Sequence, residues 1–295
     1  AALVLAASLS SPALAGAAAT REAFEAKRYE LARHEWDRMR ASDSRECRNC
    51  HSFDAMDFHR QTAKAASAMT AAMKAGKTCI DCHKGVAHKL PDITAGHRRV
   101  FAGLSAAAAA LAPAPGATLY ALTGLGLLDR PAADAEPAGE IAPATPVTVL
   151  AVEDGFVKGE IVGWQREGMP ETLYARQGKR MPLATLAPSA VARAEPLTAV
   201  TDADTGQVWT QVRLAVWTAA GGYAAGVEPL WDYAARMYDA NCTVCHAPYA
   251  PDAYTANAWI GNINAMKRLT ALNGAEVALL QAWLQRNARD TAAAP

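Results

Sequence analysis

The sequence predicts a mixed fold in three parts. A mainly helical N-terminal part is followed by a small β-barrel of SH3-like type and then by a helical C-terminal module. Three observations predict this. First, a five-residue pattern recurs as Cys47-Arg48-Asn49-Cys50-His51, Cys79-Ile80-Asp81-Cys82-His83 and Cys242-Thr243-Val244-Cys245-His246. Second, the stretches around these patterns carry apolar residues at helical spacing. Third, from Val147 the apolar period drops to two, the period of a strand with one buried face.

The repeated pattern carries the chemistry. Three Cys-x-x-Cys-His motifs use all 6 cysteines. This spacing reads as covalent c-type haem attachment: two thiols add to the vinyl groups and the adjacent imidazole becomes an axial iron ligand. A zinc site needs no His directly after the second Cys of a pair. A thioredoxin-like motif would be a single pair near a βαβ pattern. Disulfides alone give the His no role. The reading is therefore three covalently bound haem c groups with iron. Cys47, Cys50, Cys79, Cys82, Cys242 and Cys245 hold them, and His51, His83 and His246 are the proximal ligands.

Composition narrows the rest. The chain has 295 residues, enough for two or three domains. Its 29 basic and 29 acidic residues balance, so no polyanionic partner, nucleic acid included, is implied. Thiols committed to haem require an oxidising compartment supplied with it. Residues 1–20 are small and apolar, with Ala13-Leu14-Ala15 resembling a cleavage site, and are expected to be a signal-peptide remnant. The run is too short, and interrupted by Pro12, for a membrane span.

Residues 21–95 are expected to form a unit bearing two haems. Tyr29, Ala32, Trp36 and Met39 make one apolar stripe along a helix from Arg21 to Arg40. Ser42-Asp43-Ser44 breaks it. Gln61 to Ala75 holds no Gly or Pro and reads as a second helix, with Gly76 at its C′ position. The motifs are too close for an ordinary core, so haem itself must supply most of the interior. Residues 96–146 read as a linker leading into the β domain, with prolines and glycines interrupting their apolar runs. Within 147–227, residues 147–151 and 156–162 alternate around a Glu153-Asp154-Gly155 turn, and Thr172–Ala175 and Val208–Val212 add short strands. Residues 228–295 read as a monohaem cytochrome c-like module. A helix over Trp231–Asn241 runs into the third motif. A second carries Met266. A third, capped by Asn273 and Glu276, ends near Arg289.

At Asp43-Ser44-Arg45-Glu46-Cys47-Arg48-Asn49-Cys50-His51, and from Gly76 through His83-Lys84-Gly85-Val86-Ala87-His88-Lys89-Leu90-Pro91, the chain closely resembles the NapC/NirT family of membrane-anchored tetrahaem quinol dehydrogenases. The match covers about residues 22–93, the second half of that domain. With a further motif downstream, the whole is similar to the TorC/DorC branch, pentahaem cytochromes that feed a periplasmic trimethylamine N-oxide or dimethyl sulfoxide reductase. The family's N-terminal two-haem half and membrane anchor are expected to be lacking in this stretch. The resemblance implies a periplasmic location, associated with the inner membrane in the full-length protein.

The resemblance also bears on the distal ligands. His88 matches a family ligand position. Where the family has a distal His this chain has Met69, so His59 or the Met69 thioether takes that place. Met266 is the expected sixth ligand of the third haem. His34 lies off its helix's apolar stripe, and His97 sits in a basic loop with no claim. The function expected is an electron carrier, not an enzyme, taking electrons from the quinol pool, directly or through a quinol-oxidising partner or the missing half. It would pass them to a periplasmic molybdenum reductase in anaerobic respiration. Two other readings compete: a multihaem redox enzyme with an open haem site, and a redox-sensing partner of a signalling protein.

Overall fold

A computed structural model describes residues 20–86, 88, 91, 93–203, 205–242 and 248–291. The expected signal remnant thus lies almost wholly outside the described residues, as do Cys245 and His246 of the third motif. The chain divides into two compact units. One comprises residues up to Arg98 together with Cys242; the other comprises Arg99–Asn241 and the residues from Pro248 onward.

The first unit is helical. Helix α1 (Arg21–Ala41) starts at Thr20, whose Oγ1 accepts the Ala23 N–H at 3.1 Å. Tyr29, Ala32, Trp36 and Met39 are half-buried, as the stripe requires. The chain then turns through Asp43 and Ser44 at φ 52° and 49°. That left-handed turn starts the one-turn helix α2 (Arg45–Arg48), which carries Cys47. Two 3₁₀ turns, Phe53–Ala55 and Phe58–Arg60, lead to α3 (Ala63–Lys74). Its end follows from Gly76 at φ 61°. The Gly76 N–H donates to Met73 O and the Lys77 N–H to Ala72 O, closing the last turn as a Schellman motif. The chain then enters α4 (Cys79–Cys82), opened by a capping box between Thr78 and Asp81.

Among the described residues, the second unit is built on ten antiparallel strands. These are β1 (Thr118–Ala121), β2 (Leu125–Leu128), β3 (Pro137–Ile141), β4 (Pro146–Glu153) and β5 (Phe156–Arg166). They continue as β6 (Met169–Arg176), β7 (Lys179–Leu186), β8 (Glu195–Thr201), β9 (Val208–Ala219) and β10 (Tyr223–Ala224). β5 pairs with β9 from Phe156↔Ala219 to Arg166↔Trp209. This closes the ring β5-β6-β7-β3-β2-β9, a six-stranded barrel. β4, β1 and β10 extend it beside β5, and β8 lies beside β9. The Asp154-Gly155 loop is a two-residue turn with both φ positive, the type I′ geometry that matches strand twist. Alternation in β5 buries Val157, Gly159, Ile161 and Gly163. They join Leu127, Ile141, Leu173 and Leu214 in the barrel interior.

Three expectations are corrected here. Residues 96–146 are not a linker: they hold most of α5 (Ile93–Ala109) and all of β1, β2 and β3. The strands are too short for a period to be read, and two of their partners, β7 and β9, lie far along the chain. His97 is in α5, not in a loop, and is buried. The C-terminal helices α7 (Glu228–Cys242), α8 (Ala256–Met266) and α9 (Gly274–Arg286) are not a separate module from the barrel. The Gln285 amide, fully buried in α9, donates to Arg180 O of β7 and to Ala256 O of α8, each at 2.9 Å. Lys179 and Asp290 pair at 2.6 Å, and the Arg180 N–H donates to the Asn257 side chain at 2.7 Å. α5 joins too, with Ala108 packed among Leu230, Tyr233, Ala234, Met237 and Leu279. Such ties have no signature in sequence spacing.

Candidate haem sites

In the first unit the two motifs are held side by side by named bonds. Ser44, fully buried, accepts the Ile80 N–H on its Oγ at 3.1 Å. The Ser44 backbone carbonyl accepts from Cys47 and Arg48, so this residue caps α2 while touching the middle of the second motif. Asp81 is the second tie. Its Oδ2 accepts the Thr78 N–H at 2.9 Å and the Thr78 hydroxyl at 3.0 Å, and its Oδ1 accepts from Arg40 Nε at 2.9 Å. Burial pushes the Asp81 carboxyl up, but the Thr78 N–H, Arg40 and the Thr78 hydroxyl outweigh it and hold the group below its ordinary value.

Between the motifs lies a cavity of about 240 Å³. Cys47, His51, Cys79, Cys82 and His83 line it, with Phe53, Met56, Met69 and Ile80 among the apolar walls. Met69 and Ala72 lie three apart on α3 and share the face turned to the cavity. Burial raises the Cys79 thiol above its usual value; the Cys47 sulfur adds to this and Arg48 opposes it. Among the described residues no group of three or more His, Cys, Asp and Glu is arranged to hold a metal ion directly. No disulfide joins the five described cysteines. The set fits a haem pair: apolar walls, thiols from both motifs, and two imidazoles on one cavity. The group, when bound, supplies one-electron iron chemistry; the protein supplies orientation, ligands and burial.

The other candidates are more scattered. His88 is exposed and is not among the cavity-lining residues. His59 lies in the 3₁₀ turn Phe58–Arg60, and its side chain is outside the described residues. His34 is exposed on α1. Of the third motif only Cys242 is described, at the end of α7, where burial pushes its thiol up to about 11. Met266 is 43% exposed at the end of α8. Sequence reasoning assigned no role to Ser44, Arg40, Met56 or Asp81. Ser44 and Asp81 lie inside the motif strings, but nothing in the spacing says which atoms they reach.

Residues 5–93 match the NapC/NirT cytochrome c family, N-terminal region, and residues 113–223 match the TorC third cytochrome c domain. The chain is 38% identical over 274 residues to the cytochrome c-type protein TorC of Escherichia coli O157:H7, covering 92% of this chain and 69% of that protein. It is 35% identical over 272 residues to the cytochrome c-type protein TorY of Haemophilus influenzae, covering 92% of this chain and 72% of that protein. It is 58% identical over 80 residues to the cytochrome c-type protein NapC of Paracoccus pantotrophus, covering 27% of this chain and 34% of that protein. No solved structure matches the chain significantly. The chain belongs to the TorC-type cytochromes, c-type cytochromes that bind haem covalently and carry electrons.

Proposed function

We propose that this chain carries three haems and works in the periplasm, receiving electrons from a quinol-oxidising partner and delivering them to a terminal trimethylamine N-oxide or dimethyl sulfoxide reductase. The observation that carries this reading is the apolar cavity shared by Cys47, His51, Cys79 and His83, which brings two attachment sites within one enclosure. Two redox groups so placed pass single electrons between them without a substrate pocket. Among the described residues no helix is long and apolar enough to cross a membrane.

Sixth ligands follow the same reading. Met69 stands on the cavity face of α3, a capped helix that fixes its direction. It is assigned to one iron of the pair, with His59 and His88 as the imidazole alternatives. Met266 is assigned to the third iron. A thioether favours the reduced iron more than a second imidazole does and raises the potential.

The test has two arms. A pyridine haemochrome assay on the denatured chain, made with c-type maturation, should give three haems per chain. Dithionite-reduced protein should then be reoxidised when purified trimethylamine N-oxide reductase and its oxide are added together, and not by the oxide alone. Two or fewer haems refutes the haem reading. Reoxidation by the oxide without the reductase refutes the carrier role.

A further inference from the structure

We infer that Ser44 is the positioning residue that sets the spacing of the two N-terminal haems; this rests on the haem-pair reading above. The Ser44 backbone is unfavourable. Ser44 adopts φ 49°, a left-handed conformation that costs a non-glycine residue free energy. A turn needing only that shape would be better served by Gly. Ser44 is also fully buried, and a buried hydroxyl needs a partner. Its partner is not local: the Oγ accepts the Ile80 N–H at 3.1 Å, 36 residues away.

The position of that bond gives it leverage. Ser44 lies three residues before Cys47 and its carbonyl caps the turn that carries that thiol. Ile80 directly follows Cys79. The hydrogen bond therefore joins the two haem-bearing turns next to the atoms that anchor the cofactors. Cys47 and Cys79 line one cavity. The other tie, Arg40 to Asp81, is made by side chains 31% and 17% exposed, and the long Arg40 side chain fixes spacing less tightly than a short hydroxyl. A buried, directional bond from a one-carbon side chain is the stiffer link.

Two variants separate the clamp from the turn. Ser44→Gly keeps the left-handed backbone, relieves its strain and removes the hydroxymethyl side chain. Ser44→Ala removes the hydroxyl and keeps the strain. Both are made in the full chain with haem attached. The readouts are the bisignate Soret circular dichroism of closely spaced haems and the magnetic coupling between the two irons. If Ser44 sets the spacing, both variants weaken the couplet by roughly twofold, and Ser44→Gly lowers the unfolding midpoint less than Ser44→Ala because it relieves the left-handed strain. If Ser44 serves only the turn, Ser44→Gly keeps the wild-type couplet and coupling, and the proposal is overturned. A haem deficit confined to the second motif in Ser44→Gly supports the clamp, because the lost bond acts on Ile80. A deficit at the first motif, or an even loss at both, overturns it. A wild-type chain with fewer than three haems would instead count against the proposed function, which the assay above reads separately.

Discussion

Removing the Asp81 carboxylate should loosen the second haem-bearing turn by an amount the structure allows one to work out. Asp81→Ala deletes three hydrogen bonds: two from Thr78 that cap α4, and one from Arg40. Loss of an N-terminal cap costs about 1 kcal/mol. The Arg40 pair is partly exposed, and Arg40 keeps a second partner in Asp37 at 2.6 Å, so its loss adds only about 0.5 kcal/mol. The sum is about 1.5 kcal/mol, or roughly tenfold in the local opening equilibrium. Amide hydrogen exchange reads this site by site. The Ile80 N–H, bonded to Ser44, should exchange about tenfold faster in Asp81→Ala, while amides of the barrel strand β5 should not change. Asp81→Asn keeps an acceptor for Thr78 and should give a smaller effect. The difference between wild type and Asp81→Ala should also depend on pH. The folded carboxyl lies below its unfolded value of about 3.9, so its contribution is full above that pH and disappears as pH falls through the folded value. Unchanged Ile80 exchange at pH 7, or a difference that does not shrink as pH is lowered from about 3.9, would contradict this role for Asp81.

Further outcomes follow from other positions. Gln285→Met should lower the stability of the second unit by about 2–3 kcal/mol, because the Arg180 and Ala256 carbonyls lose their donor; urea unfolding followed by tryptophan fluorescence measures it, and a midpoint equal to wild type would contradict the role given to this amide. Gly139→Ala should cost about 2 kcal/mol or more. Gly139 sits at φ 135° and an added Cβ would collide with the Thr185 carbonyl of the paired strand, so thermal unfolding should show a clear loss. Met266→Ala should remove a thioether-to-iron charge-transfer band from the oxidised spectrum, and Met266→His should keep the iron low-spin at a lower potential. An unchanged spectrum and potential in Met266→Ala would assign that ligand position elsewhere.

Features set by near neighbours in the chain are legible without the structure. The Cys-x-x-Cys-His motifs point to covalent haem because attachment needs two thiols and an imidazole at fixed spacing. The helix stripe from Tyr29 to Met39, the stop at Gly76, the Asp154-Gly155 hairpin and the Asn273–Glu276 cap are each decided by a few neighbouring residues. The tertiary structure decided everything that depends on residues far apart in the chain. It showed that residues 96–146 complete the barrel, because a four-residue strand such as β2 is specified by its partners β3 and β9 and not by its own pattern. It showed that α7–α9 share a unit with the barrel, through Gln285 and the Lys179–Asp290 pair. It also placed Ser44 against Ile80, and Met56 and Met69 on one cavity. A hydrogen bond acceptor can be read from a sequence, but the donor that reaches it across 36 residues is chosen by how the chain packs.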